Sequence, residues 1–254
     1  MRVALLEIDS SETIPLSTRI NQSNNLISRA LDFKSDLIVL PELWFGSAHN
    51  VEKMLDFDAS IWDSYLKELR KICLGKCVYI HSGSVALNQE GLRNRAHFID
   101  SAGDLFFYDK RKLFGFGAGE SSIFVNGQND LIVNLLGINA ALFTCYDLRF
   151  PELFRSSLRK GMDLAVVSAA WPKARLHHWS RLLCARAIEN QIFVIGCNGV
   201  GIQGEVEMCG HSEIYGPDGA QIALEEVYPS LFIAEIDITE VFRSRVEFPV
   251  LGDI

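Results

Sequence analysis

Four short, largely apolar runs limit what this chain can become: Asp36–Leu40, Ile138–Thr144, Leu164–Ser168 and Ile192–Cys197. They do not alternate apolar with polar residues, so a strand made from one of them must be covered on both faces. Amphipathic stretches lie between such runs. Ser17–Phe33 carries Ile20, Leu26, Ile27, Ala30 and Leu31 at helical spacing, and Ala59–Leu74 carries Ile61, Trp62, Tyr65, Leu66, Leu69 and Ile72. Short helices are also predicted over Glu152–Lys160 and His177–Asn190. Doubly covered strands alternating with helices specify an α/β fold of mixed sheets with helices packed over them.

The remaining segments are predicted with the same rules. Arg2–Ile8 reads as a first strand. Val78–Leu87 and Arg93–Asp100 read as a hairpin closed by Asn88-Gln-Glu-Gly91. Ser101–Asp104 is a turn leading into Leu105–Tyr108. Strands are expected around Val206–Tyr215 and Gln221–Leu224, flanking the turn Gly216-Pro-Asp-Gly219, and over Leu231–Ile236, with a polar tail beyond. No linker or composition shift divides the 254 residues, so one domain over 1–254 is expected.

Charge and cysteine usage exclude several classes. The net charge is −8, and no basic run exceeds Lys110-Arg-Lys112, which argues against nucleic acid or an anionic membrane as partner. The N-terminal apolar stretch is too short and too early charged for a signal peptide, and no run approaches a bilayer span. The six cysteines lack the density of a disulfide-stapled domain, and Cys73 and Cys77 have no second pair to complete a zinc site. A cytoplasmic protein with reduced thiols and no metal is expected.

Three reactive side chains follow or adjoin predicted strands. Glu42 comes after Asp36-Leu-Ile-Val-Leu-Pro41, where proline stops the ladder. Partial desolvation there would raise its pKa and make it a base; the alternative is a surface glutamate paired with an arginine. Cys145 ends an apolar strand just before a helix, where nearby backbone N–H groups would favour a thiolate; otherwise it is a small packing residue, as Cys184 and Cys197 are read to be. Lys110, in Tyr108-Asp-Lys110-Arg-Lys112-Leu-Phe114, could hold positive charge beside an oxyanion, or belong to a solvated turn. Gly115-Phe-Gly117-Ala-Gly119 has the wrong spacing for a dinucleotide loop.

Taken together, Pro41-Glu42, Tyr108-Asp-Lys110-x-x-Leu-Phe114 and Cys145-Tyr-Asp-Leu-Arg-Phe-Pro-Glu152 resemble the Glu–Lys–Cys triad of the nitrilase superfamily, in order and in spacing. Ala170-Trp-Pro172, Ala185-Arg-Ala-Ile-Glu-Asn-Gln191, Gly210-His-Ser212 and Arg245-Val-Glu-Phe248-Pro249 extend the resemblance over nearly the whole chain. It implies an α-β-β-α sandwich, commonly a homodimer or higher homo-oligomer, and a cofactor-free hydrolase acting on carbon–nitrogen bonds. Lys110 takes the catalytic position, and Glu120 matches a second glutamate that orients it. Cys145-Tyr-Asp resembles amide hydrolases rather than true nitrilases.

The stretch from Trp171 to Gln191 is most similar to omega-amidases, which cleave the terminal amide of short dicarboxylic monoamides. An N-carbamoyl-amine hydrolase or a non-catalytic binding protein of the same fold is the alternative. A carboxylate-bearing substrate would need a cation, for which Arg175 is the candidate; Tyr146, Trp171 and Phe114 are candidate substrate-binding residues. Asp147 and Arg149 are expected to pair beneath the nucleophile loop, and His177, His178 and His211 to be structural.

Overall fold

The computed structural model describes residues 1–50, 58–88, 91–115 and 119–253. Its strands form two large sheets and one separate hairpin. At the centre of the first sheet, Arg2–Leu6, Leu37–Val39 and Tyr79–Asn88 run parallel, and antiparallel strands extend both edges: Leu231–Glu235 and Glu225–Tyr228 on one side, Leu92–Ile99 and Leu105–Asp109 on the other. The second sheet repeats the plan around Ile138–Thr144, Leu164–Ala169 and Phe193–Asn198, with Ile132–Leu135, Glu213–Tyr215 and Gln221–Ile222 outside them.

Each parallel step needs a crossover, and a helix makes it. Leu16–Asp32 and Ala59–Lys76 serve the first sheet; Pro151–Leu158 and Leu176–Asn190 serve the second. The continuous apolar runs are explained by burial on both sides. In the first sheet Val3, Leu5, Leu37 and Val39 face the second sheet's Ala140, Leu142, Leu164, Val166 and Ile195. Their neighbours Ala4, Leu6, Ile38 and Leu40 pack under Leu26, Ile27, Trp62, Leu66 and Leu69 of the first helix pair. Ala141, Phe143, Ala165 and Val167 pack likewise under Leu153, Phe154, Trp179 and Leu183. Period-two alternation thus feeds three apolar layers, and the expected α-β-β-α sandwich is what forms.

Four local expectations change. The strand expected over 206–215 is split: Val206–Cys209 pairs with Val200–Gln203 as the separate hairpin, and Glu213–Tyr215 joins the second sheet. Between them Gly210 and His211 have φ of 65° each, and a Cβ at 210 would overlap the Glu7 carboxylate, so the chain must turn there and must use glycine. The polar tail contains a helix, Thr239–Glu247, preceded by Asp237, whose Oδ1 accepts from Thr239 N, and held at its end by Gln191 Nε2 donating to Phe248 O at 2.8 Å. Strand Ile132–Leu135 was unforeseen; Leu136 and Gly137, with φ of 52° and 87°, make the tight turn that pairs it with Ile138–Thr144. The first strand ends at Leu6 rather than Ile8. Gln89 and Glu90 of the expected hairpin turn, and Phe116–Ala118 of the glycine-rich stretch, lie outside the described residues.

Candidate active site

Both sheets contribute to one end of the sandwich. Glu42 lies three residues beyond Leu37–Val39, and Lys110 directly follows Leu105–Asp109, whose neighbouring strand supplies Asn94. Cys145 follows Ile138–Thr144 in the opposite sheet and opens the 3-10 turn Cys145–Arg149. Glu120 enters from a 3-10 turn at Glu120–Ser122.

These side chains form a closed polar network. Lys110 Nζ donates to Glu42 Oε1 at 2.7 Å and to Glu120 Oε2 at 2.6 Å. Asn94 Nδ2 bridges the same two carboxylates, at 2.9 Å to Glu42 Oε1 and 2.7 Å to Glu120 Oε1. The backbone completes the set, with Phe114 N donating to Glu120 Oε2 and Ala170 N to Glu42 Oε2, each at 3.0 Å. Cys145 lines the same cavity as Glu42, Lys110 and Glu120. Lys110, Glu42 and Glu120 are only 2%, 3% and 5% exposed, so their charges must be neutralised by one another.

Burial would by itself push Glu42 up, as the sequence led us to expect. The Lys110 charge and the hydrogen bonds from Lys110, Cys145 and Ala170 outweigh it and hold the carboxyl below its ordinary range. Burial acts against Lys110 too, yet Glu120 and Glu42 keep its ammonium protonated well above the usual range. Cys145 moves the other way: desolvation and the adjacent Glu42 charge raise its thiol far above normal. The resting pair is therefore carboxylate and thiol, rather than the thiolate expected from the strand-to-helix position.

Cys145 has φ 44°, a left-handed conformation that costs a non-glycine residue roughly 1 kcal/mol. Asp147 holds it there. Its Oδ2 accepts from Thr144 N at 3.0 Å and Tyr108 OH at 2.7 Å, and its Oδ1 from Lys112 N at 2.8 Å. Burial pushes Asp147 up to about 6. The expected Asp147–Arg149 pair does not form. The three donors already occupy Asp147, and the Arg149 guanidinium lies 4.6 Å from the Trp171 ring and donates to His178 Nδ1 at 3.3 Å.

Above the network opens a cavity of about 730 Å³. Glu42, Lys110, Glu120 and Cys145 line it, with Phe114, Tyr146, Trp171, Arg149 and Arg175 among its walls. Phe114 and Tyr146 meet edge-to-face at 5.4 Å. Trp171 is buried, its ring nitrogen donating to Arg175 O at 2.8 Å. The exposed Arg175 side chain reaches the mouth, 6.0 Å from the Phe114 ring centre. Among the described residues no group of three or more His, Cys, Asp or Glu side chains is placed to hold a metal, and no helix is long and apolar enough to cross a membrane.

The carbon–nitrogen hydrolase family model matches residues 2–245. The chain belongs to the carbon–nitrogen hydrolase family. It is 34% identical over 261 residues to the 2-oxoglutaramate amidase of Paenarthrobacter nicotinovorans, covering 99% of this chain and 88% of that one. It is 35% identical over 224 residues to the omega-amidase YafV of Escherichia coli K12, covering 86% and 84%. Among solved structures it is similar to a CN-hydrolase superfamily protein of Xanthomonas campestris with an arsenic adduct in its active site, with a TM-score of 0.85, 30% identity and coverage of 100% and 97%.

Sequence reasoning missed two residues of this candidate site. Asn94 had a signal: an asparagine inside a strand is disfavoured unless its amide finds partners, and here it finds two carboxylates. His49 had none. It sits in the loop after Glu42, lines the cavity, and its Nε2 lies 3.1 Å from Ala170 O. The three histidines that the sequence did flag, His177, His178 and His211, are not among the lining residues.

Proposed function

We propose that this chain, as one domain over residues 1–254, is an amidase that cleaves the carbon–nitrogen bond of small linear amides through a thioester on Cys145. The observation that carries the reading is the convergence of Glu42, Lys110 and Cys145 on one cavity, with the Lys110 ammonium 2.7 Å from the Glu42 carboxylate. The Cys145 sulfur attacks the amide carbon as its proton passes to Glu42. The S–C bond forms and the carbonyl oxygen takes up negative charge, which Lys110 and a backbone N–H near Tyr146 stabilise; losing one such donor typically costs about 3–4 kcal/mol of barrier. Glu42 returns the proton to nitrogen, the C–N bond breaks and ammonia leaves. Water then attacks the thioester while Glu42 takes its proton, and the acid departs as the thiol is restored. Glu120 anchors Lys110, and no cofactor enters the cycle.

Short dicarboxylic monoamides are the substrate class. Arg175 at the mouth supplies a cation for the distal carboxylate, and Phe114, Tyr146 and Trp171 wall the chain between. The names of the amidase relatives support this reading. The protein works in the cytoplasm, as a homodimer. Phe242, Val246 and Phe248 are 50%, 81% and 71% exposed on and beside the C-terminal helix, an apolar face that a second copy would cover.

The test is ammonia release from a panel of omega-monoamides, simple aliphatic amides and ureido acids, with Cys145→Ala as control. Omega-monoamides are expected to turn over fastest, with activity lost in the variant and a dimer in sedimentation at micromolar concentration. Turnover surviving the substitution would end the role of Cys145. Preference for ureido acids would move the assignment to N-carbamoyl compounds.

A further inference from the structure

Ala170 ties two side chains to one wall of the cavity. Its N–H donates to Glu42 Oε2 at 3.0 Å, and its carbonyl oxygen faces His49 Nε2 at 3.1 Å. A carbonyl oxygen only accepts, so Nε2 carries the proton of that bond. Burial, helped by Lys110, lowers the pKa of the ring against the pull of the Ala170 bond and of Glu42 and Glu120. The imidazole is therefore neutral, and Nδ1 is left with a free lone pair. Nδ1 has no hydrogen-bond partner among the described residues, and His49 lines the cavity beside Glu42, Lys110 and Cys145.

The ring is also held from behind. Gln203, 1% exposed in the Val200–Gln203 strand, accepts through Oε1 from Ala48 N at 2.7 Å, His49 N at 3.0 Å and the Ser47 hydroxyl at 3.1 Å. Its Nε2 donates to Ser10 O at 3.0 Å. This positions the loop carrying His49 with several bonds, which a passive wall residue would not need.

We propose that His49 is a substrate-contacting residue whose Nδ1 accepts an N–H of the substrate amide, selecting primary amides over carbonyl compounds whose leaving group has no N–H. The proposal rests on the amidase reading of this cavity. Glu42 must deliver its proton to the amide nitrogen, and a lone pair tied to the same residue 170 is well placed to hold that nitrogen near Glu42 while the oxygen faces Lys110. As the tetrahedral adduct forms, the nitrogen lone pair localises and its N–H bond keeps pointing at Nδ1, so departing ammonia leaves along a defined line. Thioester hydrolysis involves no nitrogen and does not use this contact.

The experiment compares an omega-monoamide with the methyl ester of the same acid, measured with wild type, His49→Phe and His49→Gln. Wild type should prefer the amide. His49→Phe should lower kcat/KM for the amide by roughly ten- to a hundredfold, the size of one lost hydrogen bond in a reacting complex, while the ester changes less than threefold. His49→Gln, whose carbonyl restores an acceptor, should recover part of the amide rate. Equal loss on both substrates would reduce His49 to a packing residue, and unchanged amide turnover in His49→Phe would also overturn the proposal. Unaltered ester hydrolysis reports an intact fold and nucleophile. If wild type cleaves neither substrate, the amidase reading fails and the role of His49 falls with it; if it cleaves both and His49→Phe spares the ratio, only the role of His49 fails.

Discussion

Glu7 and Glu42 stand just beyond the ends of two neighbouring parallel strands, Arg2–Leu6 and Leu37–Val39, and both are buried, at 7% and 3% exposure. Their chemistry diverges. Glu7 accepts from Ser212 N at 2.8 Å, and no Lys or Arg pairs with it among the described residues; burial wins, and its carboxyl rises above the ordinary value of 4.5. Glu42 feels the same desolvation but has the Lys110 ammonium at 2.7 Å, and it falls below that value. An apolar strand followed by a glutamate thus specifies a buried carboxylate, not its protonation. A cation at hydrogen-bond distance in a low-dielectric setting decides the sign.

The largest expected effect sets the two glutamates directly against each other. Glu42→Gln should cut kcat for ammonia release roughly 10³-fold, since it removes the group proposed to carry the proton in both half-reactions, while Glu7→Gln should stay within tenfold. Equal losses would mean that the two positions differ only in their surroundings and not in role.

Removing the cation should make the two sites alike. Lys110→Met leaves Glu42 and Glu120 buried together without their shared partner, and urea unfolding should show a loss of about 3–5 kcal/mol. Residual activity should have its acid limb at higher pH than wild type, because the charge that lowers Glu42 is gone. An unmoved acid limb would show that the hydrogen bonds from Cys145 and Ala170, rather than Lys110, set the carboxyl.

The smallest effect is in the pH dependence of stability, and its sign differs between the sites. Glu7 is raised in the folded state, so its cost is full above the native value and vanishes below the unfolded one; the melting temperature of wild type relative to Glu7→Gln should rise as pH falls from 7 to 4.5. Glu42 is lowered, so the stability it contributes is present above its unfolded value and is lost as pH falls through the native one. Wild type relative to Glu42→Gln should therefore hold steady near neutrality and decline in acid. Parallel trends in the two comparisons would remove the distinction.

Much of this was readable along the chain. Strands such as Ile138–Thr144 and Leu164–Ala169 appear where continuous apolar runs placed them, because a side chain buried on either face of a strand leaves no other pattern. The helices Leu16–Asp32 and Leu176–Asn190 follow their periodicity within two residues of the predicted ends. Harder cases depended on distant partners. The helix Thr239–Glu247 has one buried residue, Val241, too little apolar pattern to announce it, and it is tied down by Gln191 from elsewhere in the chain. The break at Gly210 reflects the Glu7 carboxylate, more than 200 residues earlier in the sequence.

The amino-acid sequence by itself determined an α/β fold of doubly covered strands and the choice of Glu42, Lys110 and Cys145 as candidates, since periodicity and motif spacing are local properties of the chain; the sandwich layering and Glu120 came from the resemblance to the nitrilase superfamily. Only the tertiary structure decided that the Glu42 carboxyl is held low and the Cys145 thiol high, that Asp147 turns to Tyr108 rather than to Arg149, and that Asn94 and His49 join the candidate site. Each of these depends on distances between groups that are far apart in sequence, and electrostatic and hydrogen-bond energies are set by those distances and by the water excluded around them.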